Sequence, residues 1–184
     1  MKLTFTGTAV LFLIVMISGR AQKVNPDARL VEEFEARIND YVKLRKQVEG
    51  TLPALKPTGS QGAIKHHEHE LAERVRKERH GATQGNIFTP DVAAEFRRLI
   101  GLAMQGKDAS HVHQSLQHAE PVRVRIVVNE PYPSGVPLQS TPPTLLMNLP
   151  RLPPDIDYRV VGNNLVLRDA KSNLIVDFIP NAIP

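Results

Sequence analysis

The sequence predicts an α+β protein in which three or four amphipathic N-terminal helices precede a proline-rich extended connection and a small antiparallel β-meander. Two observations carry this prediction. Apolar residues recur every three or four positions up to about residue 120, and nine of the 15 prolines lie between Pro121 and Pro154. The predicted boundaries are 1–21 for a signal peptide, 22–120 for the helical region, 121–157 for a strand with the proline-rich arm, and 158–184 for the meander.

The first 21 residues have the pattern of a secretory signal. Lys2 is followed by the unbroken apolar run Ala9–Ile17, and Gly19 and Ala21 are small residues suited to a cleavage site. The run is shorter than the roughly 20 apolar residues that a spanning helix needs. We therefore expect an exported protein, periplasmic or secreted, whose mature chain begins at Gln22. An uncleaved anchor or a buried strand is the alternative.

Apolar spacing predicts helices at Pro26–Glu49 and at about Gln61–His80, and the second helix has a sparse apolar line of Ile64, Leu71 and Val75. Gly50 ends the first helix, and the prolines and glycines of residues 51–62 predict a loop. A third helix is predicted to start at Thr89-Pro90, because a threonine cap followed by proline is a typical helix start. Asp108 precedes a short fourth helix at about Ala109–Gln117. The third helix is expected to bury one side and to leave Glu95, Arg97 and Arg98 in solvent; the buried side comprises Val92, Phe96, Leu99, Ile100 and Ala103.

Past Pro121 the pattern changes to period two, which predicts a half-buried strand at Val122–Val128. The following proline-rich arm is expected to be extended, with Leu145-Leu146-Met147 and Leu149 packing onto the domain. An alternative is that Pro142-Pro143 and Leu149–Pro154 serve as an extended ligand for an aromatic groove.

The C-terminal residues predict a three-stranded meander. Tyr158–Val161 and Leu165–Arg168 flank Gly162-Asn163-Asn164, which is a favourable hairpin turn, and Leu174–Ile179 follows as the third strand. A few strands alone are only marginally stable in water. We therefore expect the Val122–Val128 strand or a helix to cover one face of this sheet.

Composition excludes several classes of function. The absence of cysteine excludes thiolate metal sites, disulfides and cysteine nucleophiles. Without Lys2 and Arg20 the mature chain has 21 basic and 19 acidic residues, so the basic pI does not indicate nucleic-acid binding. No serine lies in a Gly-x-Ser-x-Gly elbow, and the glycines form neither a Walker nor a Rossmann pattern. We therefore expect a protein that is not an enzyme.

The one cluster with ligand chemistry is His66-His67-Glu68-His69-Glu70 on the second predicted helix. His66 and Glu70, and likewise His69 and Glu73, are four residues apart and therefore share a helix face. Such pairs can chelate Zn²⁺, Ni²⁺ or Cu²⁺ weakly, and His111 and His113 could add ligands. A solvated polar face is the alternative. The zincin motif is absent because Glu73 stands where the second histidine is required.

Two stretches carry a resemblance to known proteins. The segment Ile87–Ile100 and the ending Asp177–Pro184 resemble a group of uncharacterised exported bacterial proteins, over most of the mature chain, and this likeness implies no activity. The strands from Tyr158 to Asp177 are similar to the small β-module that closes several periplasmic families, one of which is linked to nickel and cobalt homeostasis. That likeness brings no metal ligands onto this chain, because the matching residues are apolar or turn-forming.

These observations predict a non-enzymatic exported module that binds or supports other proteins in the cell envelope through protein contacts. No cofactor, no nucleic acid and, after cleavage of the signal, no membrane is expected as a partner. The first alternative is a low-affinity divalent-metal binding or buffering protein that uses His66, His69, Glu70 and Glu73. An enzyme of unrecognised type is the second.

Overall fold

The computed structural model describes residues 26–105, 110, 124–134 and 142–184. It confirms the α+β class: three long helices pack on a three-stranded antiparallel sheet. The predicted signal peptide and nearly all of the predicted fourth helix lie outside the described residues. The elements are α1 Pro26–Glu49, α2 Gln61–Glu78, α3 Pro90–Ala103, the one-turn helix α4 Pro143–Leu146, β1 Ile156–Val161, β2 Asn164–Asp169 and β3 Leu174–Ile179.

The first two helices begin and end close to the predicted positions. Gly50 follows the last turn of α1, and Ser60 caps α2 by accepting a hydrogen bond from the backbone N–H of Ala63 at 3.3 Å. Helix α1 buries a continuous stripe, whereas α2 buries only Leu71, Ala72 and Val75. Ile64, expected on the apolar line of α2, is exposed.

Helix α3 starts as predicted, and one of its side chains departs from the prediction. The Oγ1 of Thr89 accepts a hydrogen bond from the N–H of Val92 at 3.5 Å, and Pro90 is the first helical residue. Glu95 was expected in solvent but is only 7% exposed. Its carboxylate accepts two hydrogen bonds from Arg98, at 2.6 and 2.7 Å. The prediction was wrong because an adjacent guanidinium lets a carboxylate lie at the edge of the core.

The cap of α3 permits a modest stability prediction. Thr89→Ala removes the oxygen that satisfies one unpaired N–H at the start of the helix, so we expect the free energy of unfolding to fall by about 1 kcal/mol. Thr89→Ser retains the acceptor and is the matched control. Urea denaturation of the two variants checks this; equal stability would show that the cap contributes nothing.

The three strands pair in the order β1-β2-β3, all antiparallel. Gly162, in the β1–β2 turn, has a φ of 56°, a conformation that favours glycine. The β2–β3 register shifts between Leu167, which lies opposite Asp177, and Arg168, which lies opposite Ile175. Val176 is therefore an extra residue on β3, a β-bulge that changes which side chains point inward.

One face of the sheet packs on the helices. Leu165, Leu167, Leu174, Val176 and Ile179 join the helical side chains in one hydrophobic core. At its centre the rings of Phe34, Phe88 and Phe96 lie 4.9 to 5.5 Å apart by their centroids. The helical region and the meander therefore share one core.

The described segment that begins at Val124 covers the other face of the sheet, but it does not form the predicted strand. Val122 lies outside the described residues, and Val124–Val128 forms no strand. Val124 and Ile126 nevertheless pack against Val166 and Ile175 in a second apolar cluster. Only the end of the segment pairs with β3: the N–H of Asn129 donates to the Ile175 carbonyl at 2.8 Å. It thereby covers part of the β3 edge.

Arg79, at the end of α2, joins this segment to the helices. Its guanidinium donates to Asn129 Oδ1 at 2.6 Å and to the Val176 carbonyl in the bulge at 3.1 Å. The Asn129 side chain returns a hydrogen bond to the Arg79 carbonyl at 2.7 Å. The same guanidinium lies 4.9 Å from the centre of the Tyr41 ring.

The described part of the proline-rich arm is less extended than predicted, because Pro143–Leu146 forms the single turn α4. Leu145 and Leu149 are buried, as expected, whereas Leu146 and Met147 are exposed. None of the helices in the described part of the chain has both the length and the apolar character needed to cross a bilayer.

Candidate functional site

A groove lies between the end of α1, the following loop, the start of α2 and the β2–β3 turn. It has a volume of about 730 Å³. We call it the α1–α2 groove, and define it by its lining residues Lys46, Glu49, Gly50, Leu52, Ala54, Leu55, Ile64, His67, Glu68, Leu71, Ala170 and Lys171.

The local sequence explains why this groove is open. Gly50 ends α1 and Pro53 keeps the next residues out of a helix, until Ser60 starts α2. Leu52 and Leu71 are buried beneath the groove. Leu55 and Ile64 are 42% and 44% exposed. Large apolar side chains that share an open groove are typical of an interaction surface.

Glu49 and Lys171, which line the groove, belong to a network of charges between α1 and the sheet. Arg45 is 1% exposed; its Nε lies 3.4 Å from Asp169 Oδ2, and its Nη2 lies 3.4 Å from Asp155 Oδ2. Glu49 contacts Arg45 at 3.7 Å and Lys171 Nζ at 2.8 Å. These pairs tie α1 to the β2–β3 turn, and they hold the groove's sheet-side wall in place.

Tyr41 completes this network. Its hydroxyl donates a hydrogen bond to Asp169 Oδ2 at 2.7 Å. Burial, followed by the negative charge of Asp169, raises the pKa of Tyr41 far above its usual value, and the Arg79 guanidinium only partly opposes this shift. The hydroxyl therefore stays protonated and acts as a donor, not as a base.

The Tyr41 environment predicts an alkaline loss of stability. Because the pKa of Tyr41 is raised in the folded chain, this tyrosine ionises at a lower pH in the unfolded chain. The stabilisation that the protonated Tyr41 gives the folded chain is therefore complete below about pH 10 and falls as pH rises further. For one such tyrosine, the free energy of unfolding falls by about 1.4 kcal/mol for each pH unit. Urea denaturation gives the free energy of unfolding at each pH. Between about pH 10 and 11.5, Tyr41→Phe is expected to remove this contribution to the dependence of the free energy of unfolding on pH. An unchanged dependence on pH would contradict it.

A second buried carboxylate, Asp177, organises the loop that precedes α3. Its Oδ2 accepts hydrogen bonds from the backbone N–H groups of Ile87 and Phe88 at 2.7 and 2.8 Å. Its Oδ1 accepts from those of Gly85 and Phe178, at 2.9 and 2.8 Å. Gly85 has a φ of 92°, which favours glycine there. The sequence motifs around Ile87 and Asp177 are therefore in direct contact, and this contact connects the loop that precedes α3 to strand β3.

The predicted metal ligands are brought together only in part. His66 Nε2 lies 3.8 Å from Glu70 Oε1 on an exposed face of α2. Glu73 is instead engaged by Arg76, at 2.9 Å, and His69 is exposed with no ion pair among the described residues. Within the described ranges no three histidine or acidic side chains converge on a metal position. Metal binding by these residues stays a prediction; His111 and His113 lie outside the described residues.

Sequence reasoning missed the residues that form the groove. It placed Ile64 on the apolar line of α2 and assigned residues 51–62, which include Leu55, to a loop, so it did not predict that these two side chains share a groove. His67 and Glu68, which line the groove, belong to the histidine cluster but lie off the face proposed for metal. The sparse apolar line of α2 was a signal that this helix is not buried along its whole length, but it did not indicate which of its residues is exposed.

The buried charges around the groove have structural roles. Every buried ionisable side chain described above is engaged by a structural partner, and the groove offers an apolar floor with charged edges. No protein-family model, curated protein or solved structure matches this chain. The resemblance of Ile87–Ile100 and Asp177–Pro184 to exported bacterial proteins therefore stays a prediction.

Proposed function

We propose that this chain is an exported, non-enzymatic module that acts through protein contacts, and that the α1–α2 groove is its binding surface. The observation that carries the proposal is the exposure of Leu55 and Ile64 above the buried Leu52 and Leu71. Leaving two large apolar side chains in water is unfavourable, and a partner that covers them recovers that free energy. The export signal predicted at residues 1–21 supports a contact in the cell envelope or outside the cell.

The charge network supports a rigid binding surface. Arg45 and Asp169 connect α1 to the β2–β3 turn, so the groove wall needs little rearrangement when a partner docks. A preformed surface retains more of its contact energy as affinity, because less ordering is required on binding.

Site-specific photocrosslinking tests the proposal. A photoreactive residue is placed at Leu55 or at Ile64 in the full chain, and the chain is expressed in cells that export it. We expect both positions to give one and the same crosslinked protein. Glu32, exposed on α1 and about 25 Å along the helix from Glu49, is the control position.

The outcomes separate clearly. A crosslink from Leu55 and Ile64 that is absent from Glu32 supports the groove as the contact. Equal crosslinking from all three positions, or none from the groove positions, contradicts it. Recovery of the chain from the cytosol with an intact N-terminus would overturn the exported location.

A further inference from the structure

The charges around the groove identify a class of partner, and this inference rests on the proposed function. Four lysines in or beside it have no ion pair among the described residues. Lys46 lines the groove, and Lys56 and Lys65 directly follow its lining residues Leu55 and Ile64. Lys43 lies one turn back on α1. Of the two acidic residues that line the groove, only Glu68 also has no ion pair among the described residues, because Glu49 is paired with Lys171.

The cationic side also extends beyond the groove. A shallow hollow of about 460 Å³ runs along α1, and Lys46 lines both it and the groove. Its other lining residues are Asn39, Val42, Lys43 and Gln47. Apolar side chains at one end and unpaired lysines along the helix therefore form one continuous surface.

We propose that this surface binds an acidic amphipathic segment of a protein, with apolar side chains seated between Leu55 and Ile64 and with Asp or Glu side chains facing Lys43 and Lys46. An amphipathic helix placed in a groove presents its anchors at three- to four-residue spacing, which suits a short apolar floor. The lysines add orientation and speed of association, and they reject basic segments.

Peptide selection tests this inference directly. Random 16-residue peptides displayed on phage are selected against the purified full chain, and the enriched peptides are synthesised with a fluorophore. We expect them to combine Leu, Ile or Phe at helical spacing with a net negative charge, and to bind more weakly as ionic strength rises. Enrichment of neutral or basic peptides, or no enrichment, would overturn the inference.

Variants with matched controls locate the binding site. Lys43→Glu with Lys46→Glu, and separately Leu55→Ser with Ile64→Ser, are each expected to weaken peptide binding about tenfold or more. Arg29→Glu, on the same helix, and Leu102→Ser, exposed on α3, should leave binding unchanged. All six substituted residues are exposed, and circular dichroism verifies that each variant is folded.

The remaining outcomes distinguish this inference from the proposed function. Peptides that need Leu55 and Ile64 but carry no acidic residues would overturn the charge argument and leave the groove as a protein-binding surface. Vesicles of phosphatidylglycerol test binding to anionic lipid, and vesicles of phosphatidylcholine are the control. Lysine-dependent binding to the anionic vesicles, without peptide binding, would assign the surface to lipid and overturn the inference.

Discussion

Asp177→Ala is expected to lower the free energy of unfolding by about 4 kcal/mol, because it leaves four backbone N–H groups without their acceptor in a buried site. Three of those groups belong to the loop of Gly85, Ile87 and Phe88. Loss of the carboxylate therefore releases this loop from β3 as well as destabilising the chain. Urea denaturation gives the stability change, and amide hydrogen exchange of the loop reports its release.

Asp177→Asn refines this prediction. The carboxamide has nearly the same shape, but its NH₂ group cannot accept, so one of the two N–H pairs loses its partner. We expect an intermediate loss of about 2 kcal/mol. Asp40→Asn, an exposed change on α1, is the control and should stay within about 0.5 kcal/mol. If Asp177→Ala proves no worse than this control, the carboxylate does not hold the loop.

Arg45→Met is expected to cost about 3 to 5 kcal/mol. The change keeps much of the apolar stem but removes the guanidinium that faces Asp169 and Asp155, and Asp169 is completely buried. Removing one member of a buried ion pair leaves an uncompensated charge, which costs far more than the loss of an exposed pair. Chemical denaturation measures the change.

The same helix offers a matched control. Arg37 pairs with Glu33 at 3.0 Å on the exposed side of α1, so Arg37→Met should cost no more than about 1 kcal/mol. Arg45→Lys keeps the charge but not the forked geometry, and an intermediate loss is expected. Equal effects of Arg45→Met and Arg37→Met would show that burial of Arg45 is not important for stability.

Much of the fold follows from local patterns. The spacing of apolar residues predicted Pro26–Glu49 to the residue, because that spacing and the following Gly50 act within single turns of the helix. The hairpin turn at Gly162 was predicted one residue too long, because Asn164 was assigned to the turn and is instead the first residue of β2. A two-residue loop sets the register of its own flanking strands. Alternation at Val122–Val128 was a misleading signal: the described residues of this segment use their apolar side chains to cover the sheet without joining it.

The groove could not be read from the sequence, because exposure depends on which distant element covers a side chain. Ile64 fits the apolar line of α2 as well as Leu71 does. In the folded chain Leu71 joins the core, whereas Ile64 is exposed and lines the groove together with Leu55. Nothing local distinguishes these two positions.

The sequence by itself determined the order and type of the three long helices and the three paired strands, because helix caps, turns and apolar periodicity act over a few neighbouring residues. Only the tertiary structure decided the roles of Asp177 and Arg45. Their partners lie 89 to 92 residues away for the loop contacts of Asp177, and 110 residues away for the hydrogen bond between Arg45 and Asp155. A buried charge is stable only where its partner also arrives, and that meeting depends on how the helices and the sheet close around one core.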